Sequence, residues 1–251
     1  MQSIIITIRL VVKFRMQKKR KFKQYLIDNE TLNGKTIMSE WFPKNDYHIF
    51  LSHSHKDLEL ALSIAGILKD KHNLDVFVDS NVWLNSNDLL KIIDNEFCKN
   101  TDSQTYNYDS RNYSTSHVHM MLMNSLNSTI NCSEALFFLN TPNSISAKEV
   151  ITQETFSPWI FAEIETSKII NKITPERLFR RTKMFSKSHQ DYVALNESAN
   201  RELQISYELE LGHLTDLSPY EFEEWISSNF ISPENALDSL YNYKRLNNIL
   251  I

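Results

Sequence analysis

Apolar and polar positions along the chain recur with two different periods, which alternate in blocks. Tyr47-His-Ile-Phe-Leu-Ser52 is a short apolar run that breaks off into His53-Ser-His-Lys-Asp57, which predicts a strand over 47–52 ending in polar side chains. From Lys56 to Lys71, Leu58, Ala61, Leu62, Ala65 and Leu68 recur at helical spacing. Asp75-Val-Phe-Val-Asp79 reads as a second strand, and Asn85–Phe97, with Leu89, Leu90, Ile93 and Phe97, as a second helix. Residues 99–116, dense in Asn, Asp, Ser, Thr and Tyr, predict a long loop before a helix over Val118–Ile130. Ala135-Leu-Phe-Phe-Leu139 is a continuous apolar run, as the interior of a parallel sheet requires. A second polar loop, 140–156, leads into a helix over Pro158–Asn171, with Ser157 as its cap and Pro158 in its first turn. This β-α-β-α order with short connections predicts an α/β fold, a parallel sheet with helices on both faces.

The flanks are less regular. Ile4–Val12 is rich in β-branched residues but too short to span a bilayer, carries Arg9, and lacks a small-residue cleavage site. It reads as a strand or a sticky terminal segment, and Met16 is an alternative start of translation. Lys13, Arg15, Lys18, Lys19, Arg20, Lys21 and Lys23 follow with no acid among them, and read as a solvated basic helix. Residues 29–46 form a polar connector with a turn at Asn33-Gly34. Beyond the core, Leu203–Leu211 alternates like a half-exposed strand, and two helices, near Pro219–Ser228 and Pro233–Asn248, each open with proline after serine. The expected organisation is an N-terminal extension with its basic segment (1–46), the α/β core (47–171), and an α-rich C-terminal part that completes and covers the sheet (172–251).

Composition narrows the chemistry. A chain of 251 residues, 41% apolar and 23% charged, can bury one sizeable core. A net charge of −4 and a pI near 6.1 give no global basic field, so neither nucleic acid nor membrane is expected as a partner. Cys98 and Cys132 are the only cysteines, too few for a zinc cluster or a disulfide framework, which fits a reducing cytoplasm. With glycine only at 34, 66 and 212, neither a dinucleotide fingerprint nor a Walker loop exists. A bound nucleotide must therefore be held by side chains and helix ends. His117 and His119 stand two apart on a helical pattern and point in different directions, so no metal is expected. Ser52 and Ser54 lack a nucleophile-elbow pattern.

Three stretches taken in order carry a resemblance. Tyr47-His-Ile-Phe-Leu-Ser52 resembles the first-strand box of the TIR (Toll/interleukin-1 receptor) domain family, Asp75-Val-Phe-Val-Asp79 its second strand, and Ser157-Pro-Trp-Ile-Phe-Ala-Glu163 its Ser-x-Trp-x-x-x-Glu box. No single box is specific; their order and spacing make the match, which runs from about Tyr47 to Ile170, about half of the chain. The sequence departs from the family pattern at His48, where Asp is usual, at His53 and His55, in its two long loops, and in Ser80–Asn85, which lacks Pro and Gly.

The resemblance implies a flavodoxin-like sheet with long loop insertions and, by similarity to bacterial members that cleave NAD+, an NAD+ nucleosidase. Glu163 would be the catalytic residue, acting on the ribose beside nicotinamide. Phe50, Ser52, His53, Ser54 and Asp79 would line the substrate cleft, with Trp83 or Tyr106 as an aromatic wall; on its residues alone, Asp79 reads equally as a helix cap. NAD+ is then substrate and no cofactor is needed. The product would be ADP-ribose or a cyclic isomer, a signal in antiphage defence read by a separate effector chain or by a self-associated form of this one. The competing expectation is a non-catalytic TIR scaffold for signalling assemblies, with Glu163 as plain surface.

Overall fold

The computed structural model describes residues 25–28, 31–43, 45–100, 105–145, 153–170, 175–178 and 205–247, without the side chains of 80–85 and 245–247. The apolar run at 4–12 and the basic segment at 13–23 lie outside the described residues, as do 203 and 204 of the expected C-terminal strand. Two compact units emerge: the described residues of Met1–Asn45 with Ser80–Ser128, and those of Asp46–Asp79 with Thr129–Ile251.

The first unit is helical. Helix α1 (Gly34–Trp41) starts where Asn33 accepts the Thr36 N–H at 3.0 Å, so the Asn-Gly pair begins a helix instead of making a turn within a connector. The unit's long helices, described below, are α3 (Ser80–Phe97) and the greater part of α4 (Tyr108–Cys132). Helix α3 starts at Ser80, ahead of the expected Asn85, and α4 starts at Tyr108, inside the 99–116 stretch whose polarity predicts a loop. In the second case the polar side chains serve the helix. Asn107 accepts the Ser110 N–H at 2.9 Å, and Ser114 and Ser116 donate to carbonyls of the preceding turn. Buried Asp94 on α3 then ties α4, accepting from Arg111 at 2.9 Å and from Ser114 at 2.7 Å.

The second unit contains a three-stranded parallel sheet with the order β2-β1-β3 among the described residues. Strand β1 (Ile49–Ser52) lies in the middle and is buried throughout, which is why its sequence is apolar on both faces. Helix α2 (Leu58–His72) connects it to β2 (Val76–Val78). Asn73 ends α2 in the left-handed conformation (φ 54°), its N–H and that of Leu74 reaching back to Lys69 and Leu68. The chain returns to the other side of β1 as β3 (Ala135–Phe138). A two-stranded antiparallel pair, β4 (Glu154–Thr155) and β5 (Tyr207–Glu208), stands apart from this sheet, so the alternating 203–211 segment pairs over just two residues. Helices α5 (Pro158–Ile169), α6 (Pro219–Ser227) and α7 (Pro233–Asn247) complete the unit.

Side chains alternate across the sheet. Ile49 and Phe137 face one side, where Leu68 of α2, Trp225 of α6 and Leu237 and Leu240 of α7 close over them. Leu136 and Phe138 face the other side and meet Ile160 and Ile164 of α5. In-register pairing of Phe50 with Leu136 and of Ser52 with Phe138 puts Ser52 on the α5 side. His48 occupies the opposite end of β1, where its Nδ1 accepts the Asp75 N–H at 2.9 Å and joins the starts of β1 and β2.

His72, at the end of α2, is 4% exposed, contacts the rings of Trp225 and Phe230, and has no well-formed hydrogen bond on either ring nitrogen among the described residues. Burial pushes its pKa below the ordinary 6.5. The unfolded chain therefore binds more protons than the folded one in mildly acidic solution, and this part of the stability, full above 6.5, is lost as pH falls. Unfolding temperature measured between pH 7.5 and 5.0 should drop with acidification, and His72→Phe should flatten the slope; an equal slope in the variant would assign the acid sensitivity to other groups.

Candidate active site

Parallel strands deliver their carboxyl ends to one edge of the sheet, and the reversal of strand order places a switch point between β1 and β3 at that edge. There β1 ends in Ser52 and His53, β2 is followed by Asp79, and β3 leads to Thr141. Helix α5 is capped by Ser157, whose side chain accepts the Ile160 N–H, and buries Ile160, Glu163, Ile164 and Ser167 along one face. That face turns towards Phe138 and hence towards Ser52, so a carboxylate at position 163 is carried into the sheet edge.

Glu163 is 1% exposed. The Ser52 hydroxyl donates to its Oε2 at 2.6 Å, while Oε1 is buried with no hydrogen-bond partner among the described residues. Loss of water pushes the Glu163 pKa well above 4.5; the negative charge of Asp79 pushes it further, and the Ser52 hydrogen bond opposes both. Burial and the Asp79 charge thus favour a neutral carboxyl, whose second oxygen can pair with a hydroxyl, or with a positive charge once Glu163 is ionised.

Buried His53 lies alongside, its Nδ1 3.1 Å from the Leu51 carbonyl and 3.3 Å from Asp79 Oδ1. With two acceptors against that nitrogen, the ring proton sits on Nδ1. Asp79 is itself 6% exposed, so two carboxyl groups are sequestered at this edge.

The other cleft residues have structural duties. Phe50 is wholly buried and stacks on Phe77 at 5.1 Å between ring centres, filling the sheet face and offering no surface to a ligand. Ser54 accepts the Lys56 N–H at the 3-10 turn His55–Asp57, and its own N–H donates to Ser144 at 3.2 Å. In the first unit, Tyr106 donates to Asn95 at 2.9 Å and lies under the Arg111 guanidinium. Trp83 falls in α3, and its side chain is outside the described residues.

One part of the edge had no assigned role in the sequence. Asp57 accepts from Thr141 Oγ1 at 2.5 Å and from Asn143 Nδ2 at 2.7 Å, joining the loop after β1 to the loop after β3. The signal was present as Thr141-Pro-Asn-Ser144, a turn-forming run straight after an apolar strand, facing an acid that follows the first strand. This latch fixes the spacing of the two loops that flank the switch point.

Among the described residues no group of three or more His, Cys, Asp and Glu side chains is placed to hold a metal ion, and no helix is long and apolar enough to cross a membrane. Comparison with protein-family models, with curated proteins and with solved structures finds no match.

A buried acid with one unmet oxygen weakens a fold. Protonation of Glu163 is favoured in the folded state, so its contribution is fully present below 4.5 and lost as pH rises towards its elevated folded value. Glu163→Gln keeps the shape and removes the ionisation. At pH 8 it should stabilise the protein by about 1–3 kcal/mol, with little gain at pH 4, as read by thermal unfolding. A destabilised variant at pH 8 would show that the carboxylate is paired in solution.

Proposed function

We propose that the chain is a TIR-like NAD+ nucleosidase in which Glu163 is the catalytic residue. What carries the reading is one arrangement: a carboxyl buried at the carboxyl ends of parallel strands, held by Ser52 on one oxygen and unpartnered on the other. The strand order β2-β1-β3 agrees with the first three strands of a flavodoxin-like sheet, and Ser52 and Glu163 both come from stretches that carry the TIR resemblance. The family departure at His48 falls at the far end of β1, away from these groups.

The chemistry asks little of the protein. Nicotinamide leaves NAD+ as a neutral molecule because the pyridinium nitrogen takes the electron pair of the breaking N-glycosidic bond, so no acid has to protonate it. The ribosyl carbon becomes cation-like, as in glycoside cleavage generally. An ionised Glu163 facing that carbon stabilises the developing charge or holds the ribose hydroxyls, and the surroundings that exclude water strengthen the effect. Ser52 fixes the carboxylate so that one oxygen faces the substrate. Water addition then yields ADP-ribose, nicotinamide and a proton; attack by a group of the adenine instead closes a cyclic isomer. In this reading the product is a signal for a separate effector chain, made in the cytoplasm as part of defence against phage.

Purified protein incubated with NAD+ should release nicotinamide, followed by chromatography with product mass. Glu163→Gln should lower the rate at least ~100-fold, the scale for loss of a charge-stabilising group, and Ser52→Ala should lower it less. Equal release by wild type and Glu163→Gln would sink the assignment, and absence of release under all conditions would favour a scaffold.

A further inference from the structure

Two carboxyl groups, not one, are buried at this edge of the sheet, and the second is fastened. Asp79 follows β2, is 6% exposed, and lies 3.3 Å from His53 Nδ1 at the end of β1, the adjacent strand. That ring nitrogen also faces the Leu51 carbonyl at 3.1 Å, which orients the imidazole from the strand backbone. Glu163 comes from α5, is held by Ser52 of β1 on Oε2, and keeps Oε1 unpartnered among the described residues. We propose that Asp79, held by His53, is a positioning residue for Glu163: the two carboxyls share a single positive charge, a proton before substrate binds and the ribosyl cation once it is bound.

Among the described residues, the charge that acts on Glu163 is that of Asp79. Asp79 from β2 acts on it directly, His53 from β1 orients Asp79, and on α5 itself Glu165 is paired with Lys168 at 2.5 Å. Desolvation and the Asp79 charge both favour the protonated form of Glu163. Two buried carboxylates cannot both stay charged without a counter-charge, so one holds a proton until a cation replaces it. A pyridinium riboside supplies that cation. Its binding then expels one proton to solvent, and Glu163 becomes the carboxylate that the bond-breaking step uses. His53 is uninvolved in that proton transfer and keeps Asp79 turned towards the site. This inference rests on the nucleosidase reading for the identity of the cation, but the shared proton is testable without it.

The test is the titration of Glu163 in the full chain carrying 13C-labelled glutamate carboxyls, the signal being assigned by its loss in Glu163→Gln. Wild type should titrate above 4.5. Asp79→Asn should bring the midpoint down towards that value, and His53→Gln should move it in the same direction by less if it lets Asp79 turn away. Asp79→Ser serves if Asp79→Asn does not fold. With NAD+ bound near neutral pH, the wild-type signal should change to that of the carboxylate. In parallel, the apparent KM for NAD+ should fall by up to ~10-fold per pH unit while Glu163 is protonated, and Asp79→Asn should lose that slope. A midpoint that depends on Asp79 in a protein that does not cleave NAD+ supports the shared proton and overturns the nucleosidase reading. The same midpoint in wild type and Asp79→Asn overturns the shared proton even where nicotinamide is released.

Discussion

Glu163 is a carboxyl buried with one oxygen unpartnered among the described residues, and the arrangement around it bears on that. A carboxyl withdrawn from water strongly disfavours its charged form, and one hydrogen bond from Ser52 offsets only part of the penalty. Nothing in the packing requires an acid at this position: Ile160 and Ile164 anchor the same helix face without help. A desolvated carboxyl at the carboxyl edge of a parallel sheet is the kind of group that functional sites hold.

The sheet is built to hold that group still. β1 is buried on both faces, with α5 on one side and α2, α6 and α7 on the other, so Ser52 cannot shift without moving two hydrophobic layers. His48 fastens the start of the strand to β2, and the Asp57 latch fastens the loop beyond its end to the loop after β3. Between these two ties the polar residues Ser52 and His53 emerge at a defined height. A short strand is sufficient because its ends are pinned by side chains as well as by the ladder.

Where periodicity was strong, the sequence reading and the structure coincide. The three strands of the parallel sheet begin and end within two residues of their expected bounds, and the helix opened by Ser157 and Pro158 is capped as expected. Where the reading depended on polarity alone it missed helix. Residues 108–116 look like loop because Ser, Thr and Asn favour turns in isolation, but here their hydroxyls and amides bond within the helix while Asp94 binds Arg111 and Ser114 from another element. Asn33 likewise caps a helix, and residues 80–85 form the start of one.

The alternation of apolar and polar residues was enough to establish an α/β arrangement and to mark Ser52, His53, Asp79 and Glu163 as chain positions at strand ends and on a helix, since period and breakpoints are local properties. It did not contain the 111 residues of separation that the Ser52–Glu163 hydrogen bond closes, nor the His53–Asp79 contact, nor the Asp57 latch. Those depend on strand order and register, which the packing of side chains from distant segments selects. For the same reason Phe50, which by position alone belongs with the cleft residues, became core: it shares the face of Ser52 but lies two residues further into the sheet, where Phe77 of the neighbouring strand stacks on it.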